Sequence, residues 1–199
     1  MARLSWTRRT LLGIAPVAAL VLATTGCNRG ALDNEAAAEI AYLGLDRAVD
    51  RMIKLGFDGF NAADNANIPP QSEAGDESGT MDVSGKVDQG ASANKGMQLD
   101  VALTDYSDGP VQDTAVLYNG GPIQADFSLK GLPDADLSGN LSGVFNMDGD
   151  LAGTIELDLA ITGKTQDSGA GVIARVPGSI HVVGTATSDY GVFEVDVSL

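Results

Sequence analysis

Two hydrophobic periods divide the chain. Over residues 34–55 the apolar positions follow a helical spacing: Ala38, Tyr42, Leu45, Val49 and Met52, with Ala41, Ala48 and Ile53 widening the stripe. Residues three and four apart share a helix face, so this run predicts an amphipathic helix with one buried side. Asp33 or Asn34 can cap it through a side-chain oxygen, and Gly56 is a natural stop. Glu35 and Glu39 stand near the positive end of its dipole and Arg51 and Lys54 near the negative end, with Asp50 and Lys54 spaced as an i,i+4 pair. The polar face mixes both signs, which suits a helix covering a sheet better than one lying in a membrane.

Beyond residue 81 the period is two. Met97, Leu99, Val101 and Leu103 alternate with polar or small residues, as do Ile123, Ala125, Phe127 and Leu129, then Ile155, Leu157, Leu159 and Ile161, and finally Phe193, Val195, Val197 and Leu199. Alternation of this kind predicts strands with one face buried and the other wet. The four runs share one pattern, and the gaps between them leave room for returning strands at 111–118, 137–147 and 179–187, with 81–87 ahead of the first. An antiparallel meander of about eight strands follows, in which every second strand carries the shared pattern. Asp148-Gly149-Asp150, Asn119-Gly120-Gly121-Pro122 and Ser188-Asp189-Tyr190-Gly191 read as its turns. Gly139 and Gly143 fall on the inward side of their strand, where they suit a bend, a bulge or the close approach of something bulky such as the helix. The stretch between the two periods, residues 58–80, has turn formers, a double proline and almost nothing apolar, and reads as a polar loop. The expected fold is therefore mainly β (α+β). A helix over 34–57 packs on a curved antiparallel sheet over 81–199, which curls over the helix or closes towards a barrel.

The first residues obey neither period. Arg3, Arg8 and Arg9 precede an apolar run over 11–23, which ends in Thr24-Thr25-Gly26-Cys27. A bilayer-spanning helix needs roughly 20 consecutive apolar residues, so this run is too short to cross. A basic start, a short apolar middle and small residues before a cut site are the marks of an export signal. The ending resembles the lipobox of a prokaryotic lipoprotein signal peptide, with Thr24 where leucine is commoner. Thr7-Arg8-Arg9-Thr10-Leu11-Leu12 resembles the twin-arginine export motif, with leucine in place of phenylalanine and Gly13 in place of lysine. The resemblance implies that residues 1–26 are removed, that Cys27 carries lipid, and that 27–33 is a short tether. It implies a protein exported and lipid-anchored to the cell envelope, at the outer membrane or the outer face of the cytoplasmic membrane.

Composition sharpens this picture. The chain has 12 basic and 27 acidic side chains, a net charge of −15. Removing the signal takes away three arginines and no acid, leaving a charge of −18. Such a surface repels nucleic acid, so a nucleic-acid partner is not expected. Cys27 is the sole cysteine, which leaves the folded part without a disulfide, a cysteine metal cage or a thiol nucleophile.

Candidate chemistry is sparse. His181, the one histidine, alternates outward between Ile180 and Val182, and no Gly-x-Ser-x-Gly elbow supplies a nucleophile for it. Glu156 with Asp158, and Glu194 with Asp196, pair carboxylates on one strand face, as a carboxylate-based hydrolase would require. Asn146, Asp148 and Asp150 offer oxygens to calcium but lack the distal glutamate of an EF-hand loop, and Asp-Gly is a common hairpin signal. No cofactor, metal or catalytic residue is assigned. The leading expectation is a membrane-anchored, non-enzymatic structural or interaction module with an envelope protein as partner. The alternative is a carrier or sensor of an apolar ligand held between helix and sheet; a hydrolase is third.

Overall fold

Tyr118 decides how the helical stripe folds. In the computed structural model, which describes residues 32–199, its hydroxyl donates to the carbonyl of Ala41 at 2.8 Å. That carbonyl would otherwise accept from the amide of Leu45, which bonds instead to Tyr42 O at 2.7 Å. The expected single helix is therefore two: α1 (Asn34–Leu43) and α2 (Asp46–Ala62). Asp33 caps α1 by accepting from the amide of Ala36 at 2.8 Å. Gly56 is not a stop. It lies inside α2, where any side chain would strike Leu99, and so permits the close approach of helix to sheet. Every apolar position of the expected stripe is buried.

Nine strands follow among the described residues: β1 (Asn67–Ala74), β2 (Ser78–Val87), β3 (Asn94–Ser107), β4 (Val116–Lys130), β5 (Asp136–Gly149), β6 (Gly153–Asp167), β7 (Ile173–Arg175), β8 (His181–Ser188) and β9 (Gly191–Ser198). They form one antiparallel sheet in the order β1-β2-β3-β4-β5-β6-β8-β9, with β7 pairing β6 beside β8. The fold is mainly β with its helices on one face, and the sheet stays open. α2 lies against β1, β2 and β3 and reaches β7, while α1 lies against β8 and β9, so one helical layer serves both ends of the sheet. The inward residues of β3, β4 and β6 named above are all buried, whereas on β9 only Val195 is fully so.

Two further sequence expectations fail, each because local residue type is a poor guide at that position. The polar loop over 58–80 contains the end of α2, all of β1 and the start of β2. β1 is an edge strand that buries only Ile68, and its register slips between Ile68 and Gln71, where Pro69 and Pro70 stand. An edge strand needs hydrogen bonds on one side only, so prolines are tolerated there. The second failure is the turn at Asn119-Gly120-Gly121-Pro122. The chain runs through it as a bulge within β4, with one more residue than β5 opposite. The strand expected at 123–129 and the end of the one expected at 111–118 thus become one, β4, while residues 111–115 lie outside it. The shared pattern falls on β3, β4, β6 and β9, and the every-second-strand arrangement does not hold. Gly139 and Gly143 face Phe127 and Ile123 of the neighbouring strand rather than a helix.

Gly121 carries this bulge. Its φ is +105°, and a Cβ there would stand 2.5 Å from Val101 O and 2.9 Å from Ala102 Cα. Gly121→Ala should destabilise the fold by about 2–3 kcal/mol. Gly109 has nearly the same φ (+106°) but open space around it, so Gly109→Ala isolates the backbone cost. Urea midpoints of the two variants separate the clash from the dihedral; equal losses would show that the close approach is relaxed away.

Candidate functional site

The densest polar constellation was not expected from the sequence. Arg51 is not at the end of a helix but inside α2, and it turns inward beneath the β1–β2 turn and the end of β3. Its Nη1 lies 2.8 Å from Ala74 O, 3.0 Å from the Tyr106 hydroxyl and 3.0 Å from Asp108 Oδ1. Its Nη2 donates to Asp76 Oδ1 at 2.9 Å, and its Nε lies 3.3 Å from Glu73 Oε1. Tyr106 donates to Asp108 Oδ2 at 2.6 Å, and the amide of Asp76 donates to Asp108 Oδ1. Arg47 adds bonds to Asp76 and to the Asp108 carbonyl. Asp108 is 3 % exposed through its side chain and Arg51 12 %. Burial, then the hydrogen bond to Asp108, push the Tyr106 hydroxyl far above its ordinary pKa. Burial alone would lower Arg51, but the hydrogen bond to Asp76 and the surrounding negative charge raise it. All three guanidinium nitrogens are engaged with the protein's own acceptors, so the cluster clamps α2 to one end of the sheet.

A second set of bonds holds the other half of α2. Asn61 bonds Ile173 like a neighbouring strand, donating to its carbonyl at 2.8 Å and accepting from its amide at 2.9 Å. Asp50 pairs with Arg175 of β7 rather than with Lys54. Lys54 reaches Glu73 at 2.9 Å and Asp58 at 3.7 Å. The expected Asp50–Lys54 pair does not form because each has a partner from another element.

The carboxylates named from the sequence stand elsewhere. Glu156 and Asp158 point outward from β6, Glu194 and Asp196 outward from β9, and all four are exposed. Asp158 and Glu194 flank Thr185 in one row across β6, β8 and β9. Two strand spacings put their backbones about 10 Å apart. His181 is on the same face, with Nε2 2.7 Å from Asp196 Oδ1. At the β5–β6 turn, Asp148 accepts from the amide of Gly149 and Asp150 from that of Ala115, the behaviour of turn residues. Among the described residues no group of three or more His, Cys, Asp or Glu side chains is placed to hold a metal ion.

Between α2 and the sheet lies a void of about 20 Å³, lined only by apolar side chains including Leu45, Val49, Met52, Met81, Leu103 and Phe145. That is room for about one water and far below the roughly 300 Å³ or more of a pocket for a small-molecule ligand. Cys27, the assigned lipidation site, and the residues of the signal lie outside the described residues. Among those described, no helix is long and apolar enough to cross a membrane. Compared with protein-family models, curated proteins and solved structures, the chain finds no match.

Proposed function

We propose that this chain is an exported lipoprotein, held to the cell envelope through lipid on Cys27, whose folded part is a non-enzymatic structural or interaction module. The observation that supports the module reading is how fully the interior is used. The sheet's inner face is packed against the helical stripe, and the polar groups at that interface are consumed in clamps between α2 and the sheet. What such a domain offers to another molecule is its surface. The anchor reading rests on the sequence of the signal alone.

Cys27→Ser tests the anchor. The substituted protein is expected in the soluble fraction and in the aqueous phase of a detergent partition, with the native protein in the membrane and detergent phases. Continued tight attachment of the serine variant would remove the lipoprotein reading.

A further inference from the structure

The sheet has two outer strands, and they are treated differently. β1 is blunted: Pro69 and Pro70 interrupt its edge, its register slips there, and Arg51 occupies the outward carbonyl of Ala74. β9 carries none of these devices. It pairs with β8 without a slip from His181↔Ser198 to Ser188↔Gly191 and contains no proline, lysine or arginine.

The phase of that pairing shows which backbone groups are free. Leu199 donates to Ile180 O at 2.9 Å, so Ile180 and Leu199 form a hydrogen-bonded pair. In an antiparallel ladder such pairs alternate. Phe193, Val195 and Val197 therefore bond to β8, and the amides and carbonyls of Val192, Glu194 and Asp196 point off the sheet. Among the described residues no backbone group of another segment bonds to them. The side chains beside this edge are equally open, with Val192 59 % exposed and Val183, on the adjacent strand, 37 %. A regular, unpaired edge is a template for another strand, and natural proteins normally blunt it.

We propose that the free edge of β9 docks an extended, basic segment of a partner protein as a further strand of the sheet. This rests on the interaction-module reading and adds the place and chemistry of the partner. Main-chain groups of Val192, Glu194 and Asp196 supply the ladder, and the side chains of the strand set the preference. Glu194 and Asp196 call for lysine or arginine opposite, and Val195 between them, on the inner face, for an apolar residue. A second copy of this chain is disfavoured by the same charges. Antiparallel pairing of two β9 strands in full overlap places Glu194 opposite Asp196 twice, and like charges directly opposite destabilise a pair.

The test uses the full chain in detergent. The probes are a capped octapeptide alternating lysine and valine and its glutamate–valine counterpart, read by amide hydrogen exchange. The lysine peptide is expected to slow exchange at Val192, Glu194 and Asp196 at least tenfold, to leave Phe193 and Val195 unchanged, and to weaken with salt. Glu194→Pro removes an outward amide without touching the β8 ladder and should weaken binding at least tenfold with the fold intact. Replacing Glu194 and Asp196 together by lysine should exchange the preference of the two peptides, a result independent of proline's effect on the backbone. Protection elsewhere, equal binding of both peptides, or undiminished binding by Glu194→Pro would overturn the proposal. So would concentration-dependent protection of the edge without peptide, which would make a second copy the occupant. A photo-crosslinking residue at Val192 and another at Ser138, in the full chain in its own membranes, separate this inference from its premise. Protein adducts from Ser138 alone would overturn β9 docking and leave the module reading standing; adducts from neither position would count against both.

Discussion

Arg51→Met should destabilise the fold by about 3–5 kcal/mol, the usual cost of removing one member of a buried, hydrogen-bonded ion pair. Methionine keeps much of the apolar stem, so the loss comes from what the guanidinium leaves behind. Asp108, with its side chain 3 % exposed, would keep Tyr106 and the amide of Asp76 but lose its countercharge. The Tyr106 ring would lose the cation 5.8 Å from its centre, and the Ala74 carbonyl its donor. Arg47→Ala is the contrast. Arg47 also bonds Asp76 and the Asp108 carbonyl, but the Arg47 and Asp76 side chains are 63 % and 52 % exposed, so the screened pair contributes about 0–1 kcal/mol and the carbonyl bond about 1 kcal/mol more. Urea unfolding of Arg51→Met, Asp108→Asn and the double variant would measure the coupling. The double variant should be less damaged than the sum of the singles, because the asparagine side chain carries no charge in need of a partner. Strict additivity would mean that Arg51 and Asp108 act through separate surroundings rather than as a clamp.

How much of this was legible in the sequence follows from what each contact depends on. The inner face of the sheet was legible because one-sided burial writes itself as alternation: Met97, Leu99, Val101 and Leu103 need no knowledge of their neighbours to be read. The capping of α1 by Asp33 is equally local. β1 was illegible because an edge strand is held through backbone bonds to β2 and buries little more than Ile68. The bulge at Gly121 was read as a turn because its residues are turn residues; only the pairing of β4 with β3 and β5 on both sides distinguishes the two. The Arg51 clamp draws on Glu73, Asp76, Tyr106 and Asp108, whose assembly depends on β1 and on the length of β3, neither of which was in hand. A signal did exist: Arg51 lies three residues after Ala48 of the apolar stripe, so its side chain borders the buried face. The outward carboxylates of β6 and β9 were placed on the correct face from alternation, but their cross-strand row depends on register. Three of the errors share one physical origin, since edges, bulges and ion clamps are defined by partners far away in the chain.

Met52→Ala should cost about 2–5 kcal/mol, as large-to-small changes in a packed core do, and it also tests whether the space under α2 is a core or a receptacle. Met52 is buried and lines the void of about 20 Å³ with Leu45, Val49 and Phe145. As a solid core, the native interface should take up no apolar probe. Truncating Met52 should then open a dry cavity that binds benzene or xenon, with a cost that rises with the volume left unfilled. Ala48 lines the same void from α2, so Ala48→Val adds two carbons, more than that space readily takes, and should cost about 1–3 kcal/mol. A carrier predicts a different pair of results. The unsubstituted protein would bind a fluorescent apolar probe, because its helical layer would lift from the sheet, and bulk at Ala48 would reduce that uptake. Probe binding by the unsubstituted protein, lost in Ala48→Val, would move the proposed function from interaction module to apolar-ligand carrier. Binding gained only on Met52→Ala would show that room for a probe exists only when it is cut, and that the inner face of the sheet is occupied by the protein's own helices.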